Sequence, residues 1–359
     1  MMKFPFPLPS RYQPTDERMT GGQGYVHVCN DRYLDRLVAI KVMKTKGDSA
    51  ALKKELSALC EIRSRHVAQV YELVSSKGGT LGLVQEFVPG PNLDEYADDT
   101  ELSQDEYLRI LYQIASGLAD IHDQGKVHRD IKPQNLKFDT EKIVKILDFG
   151  LVSDLLVKDE TTKVRGTDGF LGPEFFSTPP IRFSAAADTY AFGVTAWSLG
   201  SQGDLPDSLL EEPPQSVTPV PSFSSLCIPL PGEIVAVLDA TLNPNPVKRP
   251  QMKTVARTIE RRLLFGRHRA LISGGQTEYD LHEPGKSAKL RSGTDAISIN
   301  YDGLSFTVAD VNGDVYINNM PAAQGSELPK SCVVTLGAPS SGPYRTFVAV
   351  DTSHPEVVL

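Results

Sequence analysis

The chain has 359 residues, 40% hydrophobic and 23% charged, a composition that fits a folded globular protein of two or three units rather than a disordered or fibrous one. A formal net charge of −8 argues against nucleic acid or an anionic membrane as the main partner. No run of 18 apolar residues occurs, and Cys29, Cys60, Cys227 and Cys332 are too widely spaced for metal-binding pairs. Prolines break the opening stretch where a leader peptide needs unbroken apolar residues, so a cytoplasmic protein with free thiols is expected.

In chain order, residues 1–18 read as a proline-rich, irregular lead-in. Residues 19–88 read mostly as strands, with Val26–Val28, Leu37–Met43, Val67–Val74 and Leu81–Val88 rich in β-branched residues. One helix is expected from Asp48 or Ser49 to about Ile62, with Leu52, Leu56 and Leu59 on one stripe. Past Pro89-Gly90-Pro91 the pattern turns helical and stays so to residue 265. Ser103 and Glu106 form a capping-box pair ahead of an apolar stripe from Tyr107 to Ile121, and a second apolar helix runs from about Ala185 to Leu199. A Pro/Ser-rich loop at 213–230 interrupts the helices. Residues 270–359 read as a separate all-β unit of sandwich size, with strands at Ala296–Asn300, Leu304–Val308, Val315–Ile317, Val333–Leu336 and Tyr344–Val350.

Several residues together suggest phosphoryl transfer, which requires a protein to clamp a nucleotide, neutralise charge and aim an acceptor. Gly21-Gly22-Gln23-Gly24-Tyr25-Val26 sits between two strands, and backbone without side chains can approach phosphates closely. Taken alone, such a run is more often simply a turn. Lys41, in Val-Ala-Ile-Lys, shares a strand face with Ala39 and, paired with Glu55 on the following helix, is placed to hold nucleotide phosphates. In isolation Glu55 reads as an exposed helix charge. The stretch His128-Arg129-Asp130-Ile131-Lys132-Pro133-Gln134-Asn135 is far more specific. In it Asp130 takes or orients the acceptor's proton, Lys132 neutralises the moving phosphate, and Asn135 binds a metal ion. Asp148, in Asp-Phe-Gly after a Val-Lys-Ile-Leu strand, bridges a second metal to the phosphates.

Residues 11 to about 264 resemble the protein kinase fold, especially the compact bacterial, eukaryotic-like serine/threonine kinases. The resemblance implies an α+β fold: a bilobal kinase, N-lobe 19–88 and C-lobe 89–265, followed by the small all-β sandwich. It implies ATP with magnesium or manganese as cofactors and Ser/Thr of proteins as substrate. Gln85 takes the gatekeeper place, and Glu86 and Val88 meet the adenine through the hinge backbone. Gly166-Thr167 before Gly172-Pro173-Glu174 matches the substrate-docking segment, Glu174 pairs with Arg249, and Asp188 braces the catalytic loop. Arginine ahead of Asp130 implies control by activation-loop phosphorylation, for which Thr161 and Thr162 are the candidates.

Three positions depart from the family pattern: Met19 at the first glycine place of the phosphate loop, Gly172 for alanine, and Lys137 where an apolar residue lies beneath the adenine. A charge at Lys137 is costly unless its stem lets it reach solvent. In the β unit, Asp310–Asn319 followed by Val-Val-Thr-Leu-Gly is similar to the closing strands of forkhead-associated sandwiches, which bind phosphothreonine peptides. The early Gly-Arg and the Ser-Arg-x-His signature are absent, although Arg291-Ser292 lies near the expected place. The rivals to an active enzyme are a pseudokinase scaffold, kept open by Met19 and Lys137, and a small-molecule phosphotransferase, disfavoured by Lys132 and the docking segment.

Overall fold

The computed structural model describes residues 7–21, 24–43, 60–75, 81–148, 153–154, 169–177, 184–274, 277–353 and 355–357. By its internal packing the chain divides into two compact units, Met1–Ile259 and Glu260–Val358.

The first unit opens with an antiparallel sheet in the order β1-β2-β3-β5-β4, built from β1 (Tyr12–Gly21), β2 (Gly24–Asp31), β3 (Arg36–Met43), β4 (Val70–Ser75) and β5 (Leu81–Glu86). Alternation along β3 decides its two faces. Val38, Ile40 and Val42 pack with Tyr12, Cys29, Val74 and Val84 into one core. Ala39 and Lys41 point the other way, opposite Val28 and Val26 on β2 and Gln85 and Leu83 on β5. The irregular lead-in expected over residues 1–18 is corrected here, because the chain enters the sheet at Tyr12. Arg11 clasps Asp31 through two bonds of 2.7 and 2.6 Å, Tyr12 donates its hydroxyl to Glu72, and Leu8 packs against the core. Pro14 is accommodated at a register shift on this edge strand, one of the few places where a sheet tolerates proline. The helix expected from residue 48 to 62 lies largely outside the described residues.

Helices follow: α1 (Leu93–Asp99), α2 (Gln104–Asp123), α3 (Ala185–Gly200), α4 (Asp207–Leu210), α5 (Gly232–Thr241) and α6 (Met252–Leu264). Ser103 caps α2 by accepting from the Glu106 amide at 3.3 Å, but the Glu106 carboxylate does not complete the expected box. It takes the Tyr96 hydroxyl instead, at 2.5 Å, tying α1 to α2. The stripe from Tyr107 to Ile121 is buried as expected, and α3 is buried almost all round. Between α2 and α3 lie two short ribbons, β6 (Lys126–Val127) with β9 (Ser153–Asp154) and β7 (Leu136–Phe138) with β8 (Val144–Ile146).

The second unit is a sandwich of two antiparallel sheets. One runs β11-β10-β18-β17-β15-β16, the other β12-β13-β14. The strands are β10 (Ala270–Gly274), β11 (Thr277–Leu281), β12 (Ser287–Ser292), β13 (Asp295–Tyr301), β14 (Phe306–Asn312), β15 (Val315–Ile317), β16 (Met320–Pro321), β17 (Ser331–Leu336) and β18 (Thr346–Thr352). Ile272, Val334 and Val350 from the larger sheet meet Ile297, Ile299, Tyr301 and Val308 from the smaller in one core. Val315–Ile317 falls where the sequence places it, and the neighbouring strands are offset by one or two residues, except that β14 runs four residues past the expected end. The strands β10, β11, β12 and β16 were not foreseen.

Candidate active site

Lys41 is held by the sheet register. It pairs with Val26 and Leu83 and is 6% exposed, with its ammonium directed at the Asp148 carboxylate. Burial pulls its pKa down to about 8, against the attraction of Asp130. The contact with Asp148 adds to the hold on the charged form. The partner expected from the sequence, Glu55, lies outside the described residues.

The catalytic loop, 128–135, hangs from Asp188 on the first turn of α3. The Asp188 carboxylate accepts the His128 amide and the Arg129 amide, each at 2.8 Å, and takes His122 Nε2 at 2.8 Å. Burial pushes the Asp188 pKa up, yet the His122 bond and the histidine and amide partners outweigh it, and the net direction is down. Arg129 adopts a φ of 71°, a left-handed conformation strained for a residue with a Cβ. The two amide bonds on either side of that carboxylate hold it there. His128, fully buried, spans to the Leu147 carbonyl at 2.9 Å, and burial lowers its pKa.

Asp130 is the point of convergence. Lys132 Nζ lies 3.1 Å from its Oδ2, and Asn135 Nδ2 donates to the same oxygen at 2.9 Å and to the Asp130 carbonyl at 2.7 Å. Pro133 opens the short 3-10 turn Pro133–Asn135 that brings Asn135 back over Asp130. With both amide hydrogens of Asn135 committed to Asp130, its Oδ1 is the atom left for a ligand. The Leu147 amide bonds the Asn135 carbonyl at 2.8 Å, which places Asp148 beside the loop. Asn135 Oδ1 and the Asp148 carboxylate are hard oxygen donors, the chemistry suited to magnesium or manganese.

Ala39 is 6% and Val88 4% exposed, on the cleft side of the sheet and just past β5. Glu86 is fixed twice: its amide donates to the Gln69 carbonyl at 2.8 Å, and its carboxylate takes the Gln69 amide at 3.0 Å and pairs with Lys145 at 3.1 Å. The backbone of Gly21 and Gly24 forms the paired ends of β1 and β2, and Met19 pairs with Val26. Gly22, Thr161, Thr162 and Thr167 lie outside the described residues. Farther along, Arg249 forks onto Glu174 with two bonds of 2.7 Å and also donates to the Ala186 and Asn243 carbonyls, as the sequence implied. Sequence reasoning missed His122, which in one sequence is indistinguishable from an exposed helix-end histidine, and it missed the Gln69 and Lys145 clamps on Glu86.

Comparison with known proteins agrees with this geometry. The protein kinase domain family matches residues 19–258. A probable serine/threonine-protein kinase of Bifidobacterium longum is 33% identical over 203 residues, 54% of this chain and 26% of that protein. One of Clostridium acetobutylicum is 30% identical over 207 residues, 55% of this chain and 31% of the relative. One of Lactococcus lactis is 30% identical over 199 residues, 53% and 31%. The chain thus spans about a quarter to a third of the length of these relatives. By a match covering well over half its length, and a catalytic loop assembled around Asp130, the chain belongs to the protein kinase domain family.

Proposed function

We propose that the chain transfers the γ-phosphate of ATP to serine or threonine hydroxyls of proteins, and that it phosphorylates itself at Thr161 or Thr162. The observation that carries this is the convergence of Lys132 and Asn135 on Asp130. An acceptor hydroxyl gives its proton to the Asp130 carboxylate as its oxygen forms a bond to the γ-phosphorus. The bond from that phosphorus to the β–γ bridging oxygen breaks, and ADP leaves with the electron pair. Lys132 balances charge on the passing phosphoryl group, and Lys41 holds the phosphates behind it. Family membership carries use of ATP and a divalent metal. Magnesium is our reading, held by Asn135 Oδ1 and Asp148, where it supplies charge neutralisation of the phosphates. Lysine two places beyond Asp130 supports Ser/Thr over Tyr. Gly21, Gly22, Gly24 and Val26 above the phosphates, the Glu86–Val88 backbone at the base, Glu55 beside Lys41, and Thr167 at the acceptor complete the reading. Free thiols at all four cysteines accord with the cytoplasm, and among the described residues no helix is long and apolar enough to cross a membrane.

The test is incubation with Mg-ATP and mapping of phosphosites by mass spectrometry, beside Asp130→Asn. Incorporation by the wild type and a fall of about 10²-fold or more in the variant are expected. Equal incorporation by both overturns the role of Asp130, and absence of incorporation despite nucleotide binding favours a scaffold instead.

A second reading concerns the sandwich, where we place phosphothreonine-peptide binding. It is favoured by Arg345, whose buried Nη2 makes no hydrogen bond among the described residues while its guanidinium stacks on Tyr316, 4.9 Å from the ring centroid. It is opposed by the carboxylate of Asp295, which accepts the Asp314 amide at 3.0 Å, and by Asn312, committed to the Thr294 carbonyl at 2.9 Å. Calorimetric titration with phosphothreonine and threonine peptides decides it: tighter binding of the phosphorylated form, lost in Arg345→Ala, is expected, and equal binding overturns it.

A further inference from the structure

The floor of the cleft carries a feature that phosphoryl transfer does not require. Strand β7 starts beside Asn135 and ends at Phe138. The Phe138 carbonyl accepts from Gly90 at 3.1 Å, and its amide donates to Pro91 at 3.2 Å. A Cβ on Gly90 would lie 2.2 Å from that same carbonyl, so the chain leaving the hinge crosses directly over β7. A base bound between the hinge and the Lys41–Asp148 pair has this strand beneath it. Leu136 and Phe138 are buried, and alternation turns Lys137, between them, to the opposite face. Its cross-strand partner Lys145 shares that face and reaches Glu86 at the end of β5. The face carrying both lysines is therefore the one turned toward the hinge.

The two lysines differ in what balances them. Lys145 has Glu86 at 3.1 Å. Lys137 forms no ion pair among the described residues. Glu95 exerts a Coulombic pull on it, and that carboxylate also accepts the Asn92 amide at 3.3 Å. Burial lowers the Lys137 pKa and Glu95 opposes the shift. A half-buried ammonium directly opposite a second lysine is unfavourable in itself, and the face of a π ring is a partner that relieves it.

We propose that Lys137 reads the base of the nucleotide, its ammonium lying against the purine face, so that the site responds to the electron density of the ring and accepts GTP as well as ATP. The proposal rests on the nucleotide-site reading above. Guanine presents the more electron-rich face and an exocyclic carbonyl, whereas a pyrimidine offers a smaller ring.

Equilibrium binding of ATP, GTP and CTP to the full chain, measured without turnover, tests this with Lys137→Met and Lys137→Arg. The wild type is expected to bind GTP within about tenfold of ATP and CTP more weakly, from the usual strength of ammonium–ring contacts. Lys137→Met, similar in length but uncharged, is expected to move the ratio toward ATP by about fivefold, and Lys137→Arg to keep it. Lys137→Leu replaces the Met variant if circular dichroism shows that variant unfolded. An ATP-to-GTP ratio unchanged by loss of the charge, or a wild-type preference for ATP above about tenfold, overturns the proposal while leaving the kinase reading intact. A wild-type chain that binds none of the nucleotides overturns the site reading beneath it.

Discussion

His66 shows how a single buried side chain sets the behaviour of its surroundings. It is 4% exposed, with Nδ1 directed at the Val144 carbonyl at 3.3 Å. Burial, opposed by that carbonyl, lowers its pKa to about 4. The unfolded chain takes up a proton at this residue near the ordinary value of about 6.5, whereas the folded chain does so only near 4. Protons therefore favour the unfolded state, and stability falls as pH drops from about 6.5 toward 4, by roughly 2–3 kcal/mol. Asp188, held below the carboxylate range, is lost only at lower pH and leaves this window alone. His128, whose pKa burial also lowers, acts in the same window, so His66→Gln, which keeps a donor, is expected to reduce the slope without abolishing it. Urea midpoints at pH 7 and pH 5 check it, and an equal loss in both proteins removes His66 as the cause. At this scale Asp130 and Asn135 were legible because they share one short motif, and Glu174 with Arg249 because the family resemblance implies the pair. His122 and Gln69 were not, since each acts on a partner distant in sequence and carries no local signal.

Elements were legible where periodicity and capping agreed and blurred where tertiary partners took over. The stripe of α2 follows from the sequence, but Glu106 leaves its cap for Tyr96, a contact between helices that local pattern cannot reveal. Strand β12, Ser-Ala-Lys-Leu-Arg-Ser, alternates cleanly yet has only two apolar residues, Ala288 and Leu290, to announce it. Strand β1 was hidden by Pro14. The crossing of α3 with α5 is a close one, made possible by Gly193. A Cβ at that position would lie 2.3 Å from Thr241 Oγ1 and 2.7 Å from Leu242 Cδ2. Alanine improves helix propensity by about 1 kcal/mol, but overpacking at such distances costs about 1–3 kcal/mol and can exceed it. Gly193→Ala is thus expected to lower stability by about 1 kcal/mol or more in denaturant melts. A stabilised variant would show that α5 slides away freely.

At the scale of the whole molecule, each unit has a core of its own, and that of the sandwich is built mainly from the facing side chains of its two sheets, with Leu328 from a connecting loop. A ligand that binds only the native form of one unit stabilises that unit by mass action and leaves the other untouched, unless their unfolding is coupled. A chain of two cores is also the case in which a single two-state transition is not assured. Calorimetry of the full chain is therefore expected to show two transitions, of which only one rises with Mg-ATP, by about 2.7 kcal/mol of stabilisation at a hundredfold excess over the dissociation constant. Val334, fully buried between the sheets, labels the other transition. Val334→Ala removes two methyl groups and is expected to lower the nucleotide-insensitive transition by about 2 kcal/mol. If the same substitution lowers the transition that Mg-ATP raises, the two units unfold as one cooperative body, and the sandwich is part of what keeps the kinase folded.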